Sequence, residues 1–348
     1  MSYTNGLDKP SDYFNTKLYA GNNGTQSITG IGFAPDWVWI KNRDTTDNNV
    51  LYDTVRGVQK RLISNNTDAE ATKTNGLTAF GSDGFSLGSA GESNDNNLVS
   101  WNWKAGTSFT NDASGTGIGT IDSTGSVNTD AGFSIISYTG TGSNGTVAHG
   151  LGVAPTMIIV KNRNTTNGWE VFNASLGATK VILLDRDEAA QTSSSSWNNT
   201  APTTSVFSIG TAAGTNGNGN SLIAYCFAEK QGYSKFGSYT GNGSTDGIFV
   251  YTGFKPAWLV AKRTNDTGAW YTVDNKRDTF NVTHKWLDLD SSDAENTSSA
   301  ALNVDFLSNG FKNRTSNNSR NGSGQSYIYM AFAENPFTTS TGIPATAK

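Results

Sequence analysis

The chain has 348 residues and a formal net charge of −4, from 25 basic and 29 acidic side chains, with 39 Gly, 9 Trp, 12 Tyr and 17 Phe. The charges are scattered, so no basic stripe is available to neutralise nucleic-acid phosphates, and nucleic acid is not an expected partner. The many aromatic residues exclude a disordered chain, and no apolar run is long enough to span a bilayer.

The first ten residues are polar and lack the apolar stretch of a signal peptide. We therefore expect a protein that is made in a cytoplasm, stays soluble and is not secreted through a signal peptide. The single cysteine, Cys226, rules out an internal disulfide. It lies in an apolar segment, which favours a small buried side chain over a reactive thiol.

One segment recurs three times, at residues 32–43, 152–163 and 253–263. Each copy has a proline, then an apolar run, then a lysine. The residues that define the repeat in this segment are Pro35, Trp37 and Lys41 in the first copy, Pro155 and Lys161 in the second, and Pro256, Trp258 and Lys262 in the third. The runs 37–40 and 157–160 are apolar on both faces, which predicts central strands, each preceded by its proline.

Further landmarks follow each lysine in the same order: an aromatic segment, an apolar strand, an acidic turn, a Gly-Phe turn or its remnant, and a closing aromatic strand. The phenylalanines of the Gly-Phe turn are Phe85, Phe207 and Phe311. In the closing strand of the first copy, Trp101 and Trp103 alternate and are predicted to share one face. Turn signals every eight to twelve residues favour a β-sandwich over a helical array.

The predicted fold is therefore all-β, with three tandem antiparallel β-sandwich repeats of jelly-roll or lectin-like type. The repeats cover residues 1–104, 131–230 and 231–337, which we call the first, second and third units. Residues 105–130 are rich in Gly, Ser and Thr and are predicted to be a flexible or extended linker that sets the first unit apart. The second and third units are predicted to be joined tightly, and residues 338–348 to form a mobile tail.

No constellation of residues points to catalysis, a metal or a cofactor, so the chain is not expected to be an enzyme. The two histidines, His149 and His284, fall at non-equivalent places in their repeats, and His149 is expected just before a turn. The acidic turns fit solvated loops better than paired catalytic carboxylates. The Asn- and Asp-rich loops at 44–47 and 94–97 leave calcium binding open as a weaker alternative.

Trp197 stands in a polar loop, Ser-Ser-Ser-Ser-Trp-Asn-Asn-Thr, with no strand pattern. A tryptophan exposed in such a loop could stack on a sugar ring while Asn and Ser supply hydrogen bonds. The alternative is that Trp197 covers a neighbouring domain or subunit. Trp197 is therefore the one glycan-contact candidate in the sequence.

The combined pattern Gly-Phe-x-Pro-x-Trp-apolar-apolar-x-Lys, then Trp or Tyr, then Asp-Ala-Glu, then Ser-Asp/Asn-Gly-Phe resembles a repeat family of virion structural, tail-fibre-like proteins of marine tailed bacteriophages. The resemblance covers nearly the whole chain. The second unit departs from it at Thr156 and Met157 and lacks the Ser-Asp/Asn-Gly before Phe207. The resemblance implies a virion surface or fibre component, and it brings no established site residues with it.

The first functional hypothesis is a non-enzymatic bacteriophage virion protein, either tail-fibre-like with a role in host attachment or a capsid fibre or decoration component. Its expected partners are other virion proteins and host surface glycan, and a homo-oligomer such as a trimer is expected. The first unit would anchor the protein to the virion while the second and third project outward. The alternative is a carbohydrate-binding, lectin-like array. A polysaccharide depolymerase is disfavoured, because the sequence shows neither β-helix repeats nor clustered carboxylates.

Overall fold

The computed structural model of the chain describes residues 7–297 and 300–346. Within them the protein is all-β: antiparallel strands are joined by turns, and the helices are single turns. A 3-10 turn, Pro10–Asp12, precedes the first strand. Residues 1–6, 298–299 and the end of the predicted tail at 347–348 lie outside the described residues.

The first unit pairs a large sheet with a small one. The large sheet has the order β1-β9-β3-β4-β5-β6, and the small sheet has the order β2-β8-β7. A helical turn, α1 (Gly91–Asn94), leads into the closing strand β9. The strands are β1 (Phe14–Ala20), β2 (Gln26–Thr29), β3 (Trp37–Asn42), β4 (Val50–Asp53), β5 (Lys60–Ile63), β6 (Ala71–Thr72), β7 (Leu77–Gly81), β8 (Gly84–Leu87) and β9 (Asn97–Trp103).

The second unit repeats this arrangement with two additional strands at one edge. Its large sheet has the order β10-β11-β12-β19-β14-β15-β16-β17, and its small sheet pairs β13 with β18. The helical turns are α2 (Ala113–Thr116), α3 (Ser194–Trp197) and α4 (Ala213–Asn216). The strands are β10 (Thr107–Asn111), β11 (Ser123–Asn128), β12 (Phe133–Thr139), β13 (Gly145–Ala148), β14 (Met157–Asn162), β15 (Glu170–Asn173), β16 (Lys180–Leu183), β17 (Gln191–Thr192), β18 (Val206–Ile209) and β19 (Ser221–Phe227).

The third unit has a large sheet of order β20-β27-β22-β23-β24 and a small sheet of order β21-β26-β25. A 3-10 turn, Ala300–Leu302, precedes β25. The strands are β20 (Ser234–Thr240), β21 (Phe249–Tyr251), β22 (Phe254–Arg263), β23 (Trp270–Asp274), β24 (Leu287–Asp288), β25 (Val304–Leu307), β26 (Gly310–Asn313) and β27 (Ser326–Pro336).

The strand order recurs, so that β1-β9-β3-β4-β5 corresponds to β12-β19-β14-β15-β16 and to β20-β27-β22-β23-β24. The register recurs as well: Trp37 pairs with Trp103, Met157 with Phe227, and Trp258 with Phe332. The predicted central strands are confirmed, because every residue of β3 and of β14 is buried. Such strands are covered on both faces, and their apolar runs show no alternation.

Pro35 and Pro155 lie just before β3 and β14, as predicted. The third proline differs, because Pro256 lies inside β22. The pairing of β22 with β27 shifts register between Lys255 and Pro256 and again between Pro256 and Trp258. A bulge of this kind accommodates a residue that has no N–H to donate to the ladder, which is why the strand continues through the proline.

Two kinds of apolar core hold the fold together. Each unit has its own core between its large and small sheets, and these cores contain Phe85, Phe207 and Phe311 respectively. A further core is shared by the large sheets of all three units. It contains Trp37 and Trp258, and Trp101 with Trp103 on the predicted common face. The first unit is therefore packed against both others, and the prediction that it is set apart is wrong.

Residues 105–130 form a hairpin rather than a linker. β10 and β11 pair antiparallel, and β11 continues the ladder onto β12 at the edge of the second unit. Composition misled here because a strand at a sheet edge is stabilised largely by backbone hydrogen bonds, and buried Val127 and Ile121 supply enough apolar contact. In the predicted mobile tail, Thr338 bridges Pro344, and the Ser340 N–H donates to Asp8.

Candidate functional site

The three recurrent lysines are fully buried, and their ammonium groups join neighbouring units. Lys161 Nζ donates to the carbonyls of Asn162, Thr165 and Asn167 in its own unit at 2.8–3.1 Å. It also donates to the carbonyl of Thr67, which directly precedes the acidic turn of the first unit at residues 68–70, at 3.1 Å. The lysine therefore binds the loop after its own strand and the acidic turn of the preceding unit together.

The other two lysines repeat this contact around the molecule. Lys41 Nζ donates to the carbonyl of Asp47 in its own loop at 2.6 Å and to that of Ser292 in the third unit at 2.8 Å. Lys262 Nζ donates to the carbonyls of Asp187 and Glu188 in the second unit. Burial lowers the pKa of each of the three lysines to about 8, while nearby carboxylates oppose that change. The first unit contacts the second, the second contacts the third, and the third contacts the first, so the units form a closed ring.

Salt bridges reinforce two of the three junctions. Arg163 Nε and Nη2 each lie 2.9 Å from the Glu70 carboxylate. Arg43 contacts Glu295 in the same two-pronged way, at 3.0 and 2.7 Å. The acidic turns were predicted to be solvated, but the Glu70 and Glu295 side chains are only 11% and 4% exposed because these arginines cover them.

The third junction, between the second and third units, has neutral residues at both of these positions. The Glu70 N–H donates to the Arg163 carbonyl, and the Ala190 N–H donates to the Thr264 carbonyl in the equivalent backbone bond. Ala190 therefore replaces the glutamate, and Thr264 replaces the arginine. A buried charge without its partner is costly, so losing both together is the tolerable change.

A second polar contact recurs at the ring junctions. Trp169 Nε1 donates to the Ile63 carbonyl at 2.8 Å, and Trp270 Nε1 donates to the Leu183 carbonyl at 2.8 Å. At the junction between the third and first units, Asn49 Nδ2 takes the place of the indole and donates to the Asp288 carbonyl at 3.2 Å. Each of these carbonyls thus has a donor from a neighbouring unit.

Buried Asp–Arg pairs lie beside the shared core. Asp53 pairs with Arg56, and the Tyr225 hydroxyl of the second unit donates to Asp53 at 2.7 Å. Asp274 pairs with Arg277 in the third unit and accepts a bond from Trp101 Nε1 at 3.2 Å. The second unit has Asn173 and Leu176 at the matching positions, so its junction with the third unit again lacks the charges.

Trp197 is buried, with 1% of its surface exposed. It ends the helical turn α3, in which the Ser196 N–H donates to the Ser193 hydroxyl. Its ring packs edge-on against Phe172 at 5.8 Å. The prediction of an exposed glycan-contact residue is therefore wrong, because the polar serines form a capped turn that places the indole in the core of the second unit. The alternative, that Trp197 covers a neighbouring domain or subunit, is not observed either, because the indole packs in the core of its own unit.

The other candidate residues are also buried and have structural roles. His149 is fully buried just after β13; its Nδ1 accepts from the Leu151 N–H, and its Nε2 lies 3.1 Å from the Thr203 carbonyl. Cys226 is buried and unpaired, which raises the pKa of its thiol. Asn94, in one predicted calcium loop, is buried and donates to the carbonyls of Gly24 and Gly88.

Within residues 7–297 and 300–346, no group of three or more His, Cys, Asp or Glu side chains is placed to hold a metal ion. The same part of the chain contains no helix that is long and apolar enough to cross a membrane.

Acidic side chains from the second and third units nevertheless meet in an open cleft of about 400 Å³, which the sequence did not predict. Asp288 and Asp290 lie there opposite Asp185 and Asp187. Burial, assisted by neighbouring carboxylates, raises the pKa of Asp288 to about 7. Burial also raises the pKa of Asp290 to about 6. Asp290 and Asp185 accept hydrogen bonds from the backbone N–H groups of Trp270 and Trp169. They therefore help to position the two tryptophans whose indoles cross the ring junctions.

A second cleft, of about 560 Å³, lies beside the hairpin that the other units lack. Tyr13 of the first unit and Phe109 of β10 line it, together with Lys104 and Asp130. Lys104 Nζ lies 5.9 Å from the centre of the Tyr13 ring. The cleft therefore combines aromatic and polar walls.

Two further aromatic residues were missed in the sequence. Phe249 and Tyr251 on β21 are 41% and 49% exposed. A signal was available, because the first unit has Ser27 and Thr29 at these positions in β2. Comparing the copies for differences, and not only for matches, would have found the two rings.

No curated protein and no solved structure matches the chain. One family model does match, over residues 9–336, and its description is a domain of unknown function. That match spans all three units and the hairpin between the first and second. The chain belongs to the DUF7483 family.

Proposed function

We propose that this protein is a non-enzymatic structural component of a tailed-bacteriophage virion, either tail-fibre-like or a fibre or decoration protein of the capsid. The proposal rests on one observation, which is that the recurrent polar residues join the units to one another. The ammonium groups of Lys41, Lys161 and Lys262 each donate hydrogen bonds to a neighbouring unit. The lysines that recur in the three copies are therefore residues that hold the units together. We expect this of a structural component.

The ring also suits a particle that must persist outside cells. Its shared aromatic core and buried ion pairs need no disulfide, and Cys226 is buried and unpaired. Each unit contacts both neighbours, so if one junction opens, the other two still hold all three units together. The resemblance to tail-fibre-like repeat proteins points in the same direction.

The proposal includes a duplication history and a place of action. Each unit derives from one ancestral β-sandwich of jelly-roll or lectin-like type, and the recurrence of strand order supports this. The protein acts on the virion, in contact with other virion proteins and, for a host-attachment role, with host surface glycan. A homo-oligomer remains part of the proposal. The division into an anchoring first unit and a projecting pair is dropped, because all three units share a core.

Immunogold labelling tests the proposal directly. Antibodies raised against the purified full chain are applied to gradient-purified virions of the phage that encodes it, and mass spectrometry of the same particles is run alongside. Label at a fixed position on the tail or capsid, with the chain present in stoichiometric amount, is the expected result. Absence of the chain from purified particles that are otherwise complete would overturn it.

Carbohydrate binding is the second candidate function. Trp197 no longer supports it, because that side chain is buried. The exposed rings of Phe249 and Tyr251 favour it instead, and they carry the inference below.

A further inference from the structure

Exposed apolar side chains concentrate on the small sheet of the third unit. Among the described residues, nine large apolar side chains are exposed, and four of them lie on or beside this sheet. Phe249 and Tyr251 are on its edge strand β21; Phe280, 77% exposed, and Val282 lie at the opposite edge. We call these four residues the aromatic face. Clustered exposed apolar surface commonly marks an interaction site.

The segment that carries Phe280 and Val282 extends the sheet beyond β25. The Thr283 N–H donates to the Val304 carbonyl at 2.9 Å, and the Val304 N–H returns a bond at 3.1 Å. The Asn281 side chain exchanges two further hydrogen bonds with the Phe306 backbone. The two edges of the aromatic face are therefore parts of one hydrogen-bonded surface.

The other units show that the fold does not require these rings. Val250 of β21 pairs with Phe311, as Ile28 pairs with Phe85 and Val147 with Phe207. The residues on either side of this buried position lie on the other face of the strand, where all but Ala148 are at least partly exposed. They are Ser27 and Thr29 in the first unit, Thr146 and Ala148 in the second, and Phe249 and Tyr251 in the third. Small or hydroxyl side chains thus suffice in two units, and aromatic rings replaced them in one.

Phe249 lies across the sheet rather than standing away from it. A Cβ atom built on Gly310 would be 2.9 Å from Phe249 Cε2 and 3.1 Å from its Cζ. The ring therefore lies over the glycine, and the residue remains 41% exposed. Covering the glycine explains the ring's position, and the exposed part offers a flat apolar surface to a ligand.

Polar groups between the two edges are paired with one another. Lys312 Nζ lies 2.6 Å from Asp246, and Arg314 Nε lies 3.5 Å from Asp305. Lys235 Nζ lies 5.9 Å from the centre of the Tyr251 ring. A charged ligand would have to displace these pairs, whereas a neutral ligand with hydroxyl groups can hydrogen-bond to them in place.

The size of the face selects the class of ligand. Four strands about 4.8 Å apart, each about four residues of 3.3 Å long, give an area of roughly 200 Å². A stable protein interface needs about 800 Å² from each partner. We propose that the aromatic face binds a neutral oligosaccharide, with the apolar faces of its pyranose rings stacked on Phe249 and Tyr251. This assignment stands independently of the virion proposal.

The test uses the full chain and a set of neutral probes: maltotetraose, cellotetraose, laminaritetraose and chitotetraose, followed by saturation-transfer NMR and calorimetry. The decisive variant is Phe249→Ser with Tyr251→Thr, which copies Ser27 and Thr29 of the first unit and therefore suits the same fold. We expect saturable binding of at least one probe, weakened roughly ten-fold or more in this variant. Tyr251→Phe keeps the ring and is expected to keep the affinity.

Two control variants separate this face from other surfaces. Ser27→Ala with Thr29→Ala changes the matching face of the first unit and is expected to leave binding unchanged. Tyr13→Leu removes an aromatic wall of the hairpin cleft and is also expected to leave it unchanged. Thermal unfolding confirms that each variant is folded.

Three results would overturn the assignment. The first is no binding of any probe at millimolar concentration, and the second is equal binding by the Phe249→Ser, Tyr251→Thr variant. The third comes from light scattering: a wild-type dimer that this variant converts to a monomer would make the face a contact between copies of the chain.

Discussion

Arg163 in the second unit holds Glu70 of the first through two parallel hydrogen bonds, both 2.9 Å long. Arg56 reaches the same carboxylate from within the first unit, at 3.3 Å. Burial alone would raise the pKa of Glu70, but the two guanidinium groups outweigh it and hold that pKa below its usual value. Two arginines therefore share one carboxylate where two units meet.

Replacing Glu70 with Gln should destabilise the protein by about 2–3 kcal/mol, because the variant leaves Arg56 and Arg163 without a shared counter-charge. Urea unfolding at neutral pH measures the change. Glu188→Gln is the matched control, since the Glu188 side chain is 48% exposed; such a surface change should stay within about 0.5 kcal/mol. Equal effects of the two substitutions would show that the Glu70 contact contributes nothing.

The double variant Glu70→Ala, Arg163→Thr imposes on the first junction the pair Ala190 and Thr264 found at the neutral one. We expect its loss of stability to be smaller than the sum of the two single losses by about 1–3 kcal/mol, because the second change removes the charge that the first leaves unpaired. A double-mutant cycle on unfolding free energies measures this coupling. Simple additivity would mean that the two side chains do not interact.

His149 should make stability fall in mild acid. Burial lowers the pKa of His149 to about 4, whereas an unfolded histidine titrates near 6.5. Between these values the unfolded chain binds a proton that the folded chain does not, so stability decreases as pH falls from about 6.5 to 4, by up to roughly 3 kcal/mol. Replacing His149 with Gln should remove this part of the pH dependence, measured by urea unfolding across the window. A His149→Gln variant whose stability falls with pH as steeply as that of wild type would contradict this expectation.

Asp288 should act in the opposite direction. Its pKa in the fold is about 7, raised by burial and by Asp290 and Asp293. The folded chain therefore keeps a proton that the unfolded chain releases near pH 4, and the associated stability is lost as pH rises through 7. Asp288→Asn should flatten this decline and leave the variant more stable than wild type at pH 8 by roughly 2–4 kcal/mol. An unchanged slope between pH 4 and 8 would refute the assignment.

Trp197→Ala should destabilise the second unit by about 3–5 kcal/mol, because it removes a large buried side chain that packs on Phe172. Thermal unfolding by calorimetry measures the loss. Trp197→Phe fills most of the space and should recover much of it. Oligosaccharide binding measured below the unfolding transition should be the same in both variants and in wild type, since neither alters the aromatic face.

Much of the fold could be predicted from local pattern. The doubly apolar runs of β3 and β14 and the alternation of Trp101 and Trp103 are properties of single strands, so they are visible in a few residues. Residues 105–130 could not be predicted in this way, because what makes them strands is the open edge of β12 rather than their own composition. The burial of Trp197 could not be predicted for a related reason. The polar residues around it suggest an exposed loop, but they form a capped helical turn that places the indole in the core.

The closed ring lay beyond local pattern, but the sequence contained a clue to it. Arginine follows the Lys-Asn pair in the first and second units and is replaced by Thr264 in the third; glutamate occupies the acidic turn of the first and third units and is replaced by Ala190 in the second. Pairing each glutamate with the arginine of the next unit, and the last with the first, matches every charge. Sequence similarity alone treats these differences as drift, whereas the contacts show that they belong to the same junction.

The closed ring leaves the two ends of the chain side by side. Asp8 accepts a hydrogen bond from the Ser340 N–H, and Phe14 stacks on Phe332 at 4.9 Å. Which unit is translated first is therefore a matter of gene order and not of architecture. A circularly permuted gene, opened at the turn between the second and third units and joined by a short peptide from the old C-terminus to the old N-terminus, should encode the same molecule.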